Sequence, residues 1–296
     1  MSNGESPFRP WVPGPLDSPP PSGRVDVEFG ARSRRGPRRP LNDDHYLIMS
    51  IGRHHETLMT SLPDSDILKR FEEFGYGMIV ADGMGGAGEA ASRLAISTLT
   101  HLTINFGRWH LRVDEPTADE IIDRGRRFCR SVDSTLLQAS RDGAATLQTT
   151  LTAVYTAGAQ LFFAHVGHSR AYLFRDDQLI QLTHDHTVDG EHLRKAMIVD
   201  VTGGGPDLHH IVTETLGGGG TDAPRIDIER VGLIDEDLIL VCTNGLTDVV
   251  ADERIAHTLR LHGTPDDQCR ALVDLAASSG SNDDVTALVA HYRIHD

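Results

Sequence analysis

The sequence predicts an α+β fold in which helices cover the faces of β-sheets. Three observations predict it: strand-like apolar runs early in the chain, two helical stretches between residues 87 and 140, and many later strands that lead to a second helical pair and one last strand. No internal repeat interrupts this order. The chain has 296 residues, and 39% of them are hydrophobic, enough for a substantial core.

Residues 1–23 contain seven prolines with Gly and Ser and almost no aliphatics. Such a segment cannot bury enough surface to offset its ordering entropy. It is expected to be a disordered leader ahead of a folded unit at 24–296. Most of the basic cluster Arg32, Arg34, Arg35, Arg38 and Arg39 reads as a solvated loop. His45–Met49 reads as a strand, and the polar stretch 50–75 as a loop or hairpin insertion. Tyr76–Ala81 is an apolar run of the buried-strand type. Helices are predicted from Glu89 to about Phe106 and from Ala118 to Ala139, with a break at Pro116-Thr117 and Thr117 as N-cap. Beyond residue 145, strands are predicted at Thr150–Tyr155 and Gln160–Val166 across a Gly158-Ala159 turn. Ala171–Phe174 and Gln178–Leu182 form a further hairpin. The Gly-rich segment 188–224, with a short helix at Glu191–Met197, reads as a flap. Leu238–Cys242 is a buried strand, Asp252–Leu261 and Pro265–Ala277 are helices, and Val285–Tyr292 is the last strand.

Net charge is −15 and the isoelectric point is about 5.4, which argues against a nucleic-acid or anionic-membrane surface. Cys129, Cys242 and Cys269 are odd in number and widely spaced. They fit buried reduced thiols in a cytoplasmic protein rather than disulfides or a zinc site. No apolar run approaches the length of a membrane span, and no signal peptide is expected.

Four acidic or amide clusters fall at the ends of predicted buried strands: Asn42-Asp43-Asp44, Asp82-Gly83, Thr243-Asn244-Gly245-Leu246-Thr247-Asp248 and Asn282-Asp283-Asp284. One such cluster is a turn. Four could converge on one oxygen-rich site. Oxygen donors without a Cys/His set suit Mg²⁺ or Mn²⁺ rather than zinc. His184, Asp185 and His186 read as a hydrogen-bonded strand-end cluster rather than a transition-metal site.

These motifs make the chain resemble the PPM-type (type 2C) metal-dependent protein serine/threonine phosphatases, in particular their bacterial branch. The matches run in order through Arg39-Pro40-Leu41-Asn42-Asp43-Asp44, Val80–Gly86 with Gly88–Ser92, Thr149-Thr150-Leu151, Val166–Leu173 with Gln181–His186, Leu240–Leu246, and Asp283-Asp284-Val285-Thr286. The resemblance implies two stacked, mostly antiparallel sheets flanked by helix pairs, a four-layer αββα sandwich with the site at one end. It implies hydrolysis of phosphoserine and phosphothreonine by a water activated by two Mn²⁺ or Mg²⁺ ions, with a third ion in some members. Asp82 and the Gly83 carbonyl would hold metal, with Asp283, Asn244 and Asp43 completing the set and Asp142 a candidate for the third ion. Asp44 would hold a metal-bound water, and Arg39 would bind the phosphate. Expected partners are phosphorylated Ser/Thr proteins and the kinase that makes them, and the expected state is a monomer.

The chain departs from the family pattern in three places. His168 replaces the aspartate of Gly-Asp-Ser-Arg, Asn244 replaces a metal aspartate, and Gln148 replaces the glycine of Gly-Thr-Thr. The loop after Gly86 is also about two residues shorter than is common in the family. The loss of charge at Asn244 motivates an alternative, a phosphatase-like module that binds phosphoproteins without turnover.

Overall fold

The computed structural model describes residues 25–108, 113–143, 145–188, 211–219, 223–261 and 263–295. The expected leader, the helix at Glu191–Met197 and most of the Gly-rich segment lie outside the described residues. Described strands are β1 (Val25–Arg34), β2 (Asp44–Glu56), β3 (Arg70–Met84), β4 (Gln148–Thr149), β5 (Leu151–Ala157), β6 (Gln160–Val166), β7 (Arg170–Arg175), β8 (Gln178–Gln181), β9 (Asp227–Gly232), β10 (Leu238–Cys242) and β11 (Val285–Ile294). The longer helices are α1 (Gly88–Phe106), α2 (Glu115–Asp142), α3 (Asp252–Leu261) and α4 (Pro265–Ser278), and Asn244–Thr247 is a single helical turn.

The strands form two sheets, in the orders β1-β11-β10-β7-β8 and β2-β3-β5-β6-β9, with β4 paired to the end of β3. The strand pairs are antiparallel. Strand alternation explains the layering. In β10, Ile239 and Val241 point into the sandwich with Met78, Val80, Leu161, Phe163 and Leu288. Leu238, Leu240 and Cys242 point outward against Ile255, Leu259, Cys269 and Leu272 of α3 and α4. On the other sheet, Ile79 and Ala81 face Ala91, Ala95, Val132 and Leu136 of α1 and α2. The result is the expected αββα stack, with three apolar layers between its four structural ones.

Several sequence expectations need correction. Arg32 and Arg34 lie in β1, a strand rather than a loop. Of the two readings of 50–75, loop or hairpin, the hairpin is the one that forms: β2 and β3 pair without a break from Asp44↔Asp82 to Glu56↔Arg70. β9 was not anticipated. The second helix starts earlier than predicted. Its N-cap is Asp114, whose carboxylate accepts from the Thr117 N–H at 2.9 Å. Pro116 sits in the first turn, where a missing N–H costs nothing.

The three cysteines are free and buried, and burial pushes each thiol up to about 12. Among the described residues no helix is long and apolar enough to cross a membrane.

Ile239 is fully buried in the middle layer. Ile239→Ala should lower stability by about 2–5 kcal/mol in urea unfolding with an unchanged denaturant slope. A loss below about 1 kcal/mol would show that this layer is not close-packed.

Candidate active site

The register of the β2–β3 hairpin sets Asp44 directly opposite Asp82 at the end of one sheet. The other sheet brings β10 and β11 to the same end. Thr243 follows β10 and Thr286 belongs to β11. Their hydroxyls both donate to Asp44 Oδ2, at 2.8 and 2.7 Å. Asp44 is therefore tied across the sandwich. Asp284 is tied as firmly: its two oxygens accept from the Gly36 and Asp43 N–H groups, each at 2.7 Å. Asp82 is fixed through its backbone. Its N–H donates to Thr150 Oγ1 at 3.1 Å, and its carbonyl accepts from Thr149 Oγ1 at 2.8 Å and the Thr150 N–H at 2.9 Å.

Two glycines permit the close approaches at this end. A Cβ on Gly83 would lie 1.9 Å from the Gly88 carbonyl oxygen at the start of α1. A Cβ on Gly245 would lie 2.0 Å from the Asp284 carbonyl oxygen. The first contact lets α1 aim its N-terminus at Asp43, which accepts a hydrogen bond from the Glu89 backbone. The second seats the Asn244–Thr247 turn against the start of β11.

Asp43, Asp44, Asp82, Asp283 and Asp284 thus share one cleft with Arg39. Arg39 donates from Nε and Nη2 to Asp283 Oδ1, at 3.0 and 2.6 Å, and its Nη1 lies 3.6 Å from Asp43 Oδ2. Burial alone would lower the Arg39 pKa, but Asp283, Asp284 and Asp43 raise it. Burial, then the charge of Asp284, raises Asp43 above the usual carboxylate range, against the pull of Arg39. Burial pushes Asp44 up to about 7, against the Thr286 and Thr243 hydrogen bonds, and Asp284 and Asp283 add to the rise. Asp82 is held well above its ordinary value by burial first, then by Asp44 and Asp283.

Two buried acceptors here, Asp44 Oδ1 and Asn244 Oδ1, have no hydrogen-bond partner. Among the described residues no three His, Cys, Asp or Glu side chains are drawn together as a closed metal cage. The arrangement is instead an open cleft of carboxylate, amide and carbonyl oxygens with excess negative charge. That donor set fits a hard divalent cation, which would relieve the repulsion and satisfy the unpartnered oxygens.

Arg39, Asp43, Asp44, Asp82, Gly83, Asn244 and Asp283 therefore come together. Asp142 does not join them: it is exposed at the end of α2, where both its oxygens accept from Gln138 Nε2. Asp284, Thr243 and Thr286 are the residues that sequence reasoning did not assign. The doubled aspartate at 283–284 was the available signal for the first. Gln148 lies in β4 and reaches the Gly218 carbonyl at 3.4 Å, while Thr149 bridges to Leu216. One described piece of the Gly-rich segment is thus anchored beside Asp82. His168 is buried in the β6–β7 turn. Nearby, Asp185 accepts from Arg170, and His186 accepts from the Gly167 N–H and bonds Asp227, so these two members of the cluster are hydrogen-bonded as expected.

A family model described as Protein phosphatase 2C matches residues 106–192. The serine/threonine phosphatase stp of Listeria innocua is 31% identical over 216 residues, covering 72% of this chain and 82% of that protein. The chain belongs to the protein phosphatase 2C family. Another relative in the family is the serine/threonine protein phosphatase PstP of Mycobacterium tuberculosis, 33% identical over 219 residues. That match covers 72% of this chain, which spans only 40% of the length of PstP. The crystal structure of the M. tuberculosis phosphatase PstP/Ppp superposes with a TM-score of 0.68 at 27% identity, covering 91% of this chain and 99% of that one. The PstP catalytic domain in complex with two manganese ions superposes with a TM-score of 0.66, also at 27% identity and the same coverage.

The raised Asp44 pKa has a consequence for the metal-free chain. The folded state holds this proton more tightly than the unfolded chain does. The stability it contributes is complete below the ordinary value of 3.8 and is lost as pH rises through about 7. Melting temperature in chelator should therefore fall across this window, and Asp44→Asn should flatten the fall. Equal slopes for the two proteins would show that burial does not hold the Asp44 carboxyl above its ordinary value.

Proposed function

We propose that the chain is a metal-dependent protein phosphatase that hydrolyses phosphoserine and phosphothreonine. The observation that carries this reading is the set of buried, mutually repelling aspartates, with unpartnered acceptor oxygens, beside one arginine. The names of the relatives and the manganese ions in the PstP structure support it. Asp82, the Gly83 carbonyl, Asp283, Asn244 and Asp43 would hold two Mn²⁺ or Mg²⁺ ions. Asp142, apart on α2 with both oxygens on Gln138, is not among them. When bound, such ions acidify a water and offset charge on phosphoryl oxygens.

The chain's own groups do the rest. Asp44 has one oxygen committed to Thr243 and Thr286, and its free Oδ1 accepts from the attacking water and orients it. Arg39, paired with Asp283 in this structure, would bind the phosphoryl oxygens of the substrate. Its planar guanidinium offers parallel donors that a lysine lacks. Thr149 and Thr150 keep Asp82 from turning away. Substrates are phosphorylated Ser/Thr proteins of the cytoplasm, including the products of a Ser/Thr kinase, and the chain acts as a monomer. A second reading, a binding module without turnover, is favoured by one observation, the neutral Asn244.

Hydrolysis of p-nitrophenyl phosphate and of phosphopeptides under Mn²⁺ titration separates the two. Turnover should require Mn²⁺, and Asp82→Asn should lower it by about 100-fold or more. Arg39→Ala should cost about 100-fold in kcat/KM, with little recovered by Arg39→Lys. Turnover that survives chelator or Asp82→Asn would overturn the assignment. Mn²⁺ binding without turnover would establish the binding module.

A further inference from the structure

The geometry points to Asp248 as a positioning residue that fixes which end of the Asn244 amide faces the cleft. This inference rests on the reading that Asn244 faces a divalent cation. An asparagine in that place has a difficulty an aspartate lacks. Its two ends are nearly equal in shape, but one is an acceptor and the other a double donor. Rotated by half a turn, the side chain would aim two N–H dipoles at the cation.

Asn244 is 6% exposed, at the start of the Asn244–Thr247 turn. Its Nδ2 donates to Asp248 Oδ2 at 2.9 Å. A carboxylate can only accept, so the NH₂ end must face Asp248 and the oxygen must face away. That oxygen is the buried Oδ1 without a partner. The spacing of four residues places both groups on one face of the turn, and the Asp248 N–H closes the turn onto the Asn244 carbonyl at 2.8 Å. Gly245, pressed against the Asp284 carbonyl, stops the turn from shifting.

Asp248 thus does two things. It selects the amide orientation, and by accepting from the NH₂ it polarises the amide so that Oδ1 carries more negative charge. The charge missing at position 244 is kept one hydrogen bond behind it. Asp248 is itself exposed, so its replacement leaves the core intact. Its effect depends on the residue at 244. With an aspartate there, either carboxylate oxygen can face the cation and nothing needs orienting.

The test is calorimetric Mn²⁺ titration of the full chain as wild type, Asp248→Ala, Asn244→Asp and the double variant, with melting temperature as the folding control. Asp248→Ala should weaken one Mn²⁺ site by about 10-fold without lowering the melting temperature. Asn244→Asp should tighten the same site by about 10-fold or more. In that background, Asp248→Ala should change affinity less than about twofold, against the typical loss for a supporting residue. Equal affinity of Asp248→Ala and wild type would overturn the proposal. So would the same loss in both backgrounds, which would reduce Asp248 to a distant charge. Absence of Mn²⁺ binding in all four proteins would instead remove the metal-dependent reading itself, and the proposal with it.

Discussion

Repulsion among five aspartates is the constraint around which this end of the molecule is organised. Asp44, Asp82 and Asp284 are all less than 9% exposed, so water screens them little. Each is held by a different device. Asp44 takes hydroxyl hydrogen bonds from the opposite sheet, Asp284 takes two backbone N–H groups, and Asp82 is fixed by its peptide. Asp43 and Asp283 have the Arg39 guanidinium directly beside them, and its charge also reaches Asp82 and Asp284. The sandwich supplies stiffness for this purpose. Three apolar layers set the two sheets, and the sheet ends set the carboxylates.

The cleft also explains why glycine recurs at its margin. Asp82 must stand close to the start of α1, and Asn244 close to the start of β11. At Gly83 and Gly245 a neighbouring carbonyl occupies the space of a side chain. The same proximity turns backbone carbonyls into part of the oxygen-rich wall.

Much of this was legible in the sequence, for physical reasons that differ by element. β6 and β10 match their predicted bounds because both are continuous apolar runs closed by turn residues. β1 was hidden because it is an edge strand: Arg32 and Arg34 face solvent, so the alternation reads as a charge cluster. β9 is another edge, and none of its six residues is fully buried. The polar outer half of the β2–β3 hairpin has a related cause, since it runs past the helices that bury its inner half. Arg39, Asp43, Asp44, Asp82 and Asp283 were found through motif order. Asp284 was not, because its role is to accept backbone N–H groups from residues some 240 positions away, a relation that local spacing does not encode.

That separation governs when the cleft can come into being. Asp44 is clasped by Thr286, and Asp43 by Asp284, so residues from the two ends of the folded unit must meet. β11, made after both, inserts between β1 and β10. On the ribosome, helices and the β2–β3 hairpin can form as they emerge, but the sheet that carries β11 stays unfinished. Until then, Asp44 and Asp82 face each other at the hairpin end without the braces of the second sheet. The acidic centre is therefore among the last parts of this folded unit to close, because its braces exist only once β11 has joined β1 and β10.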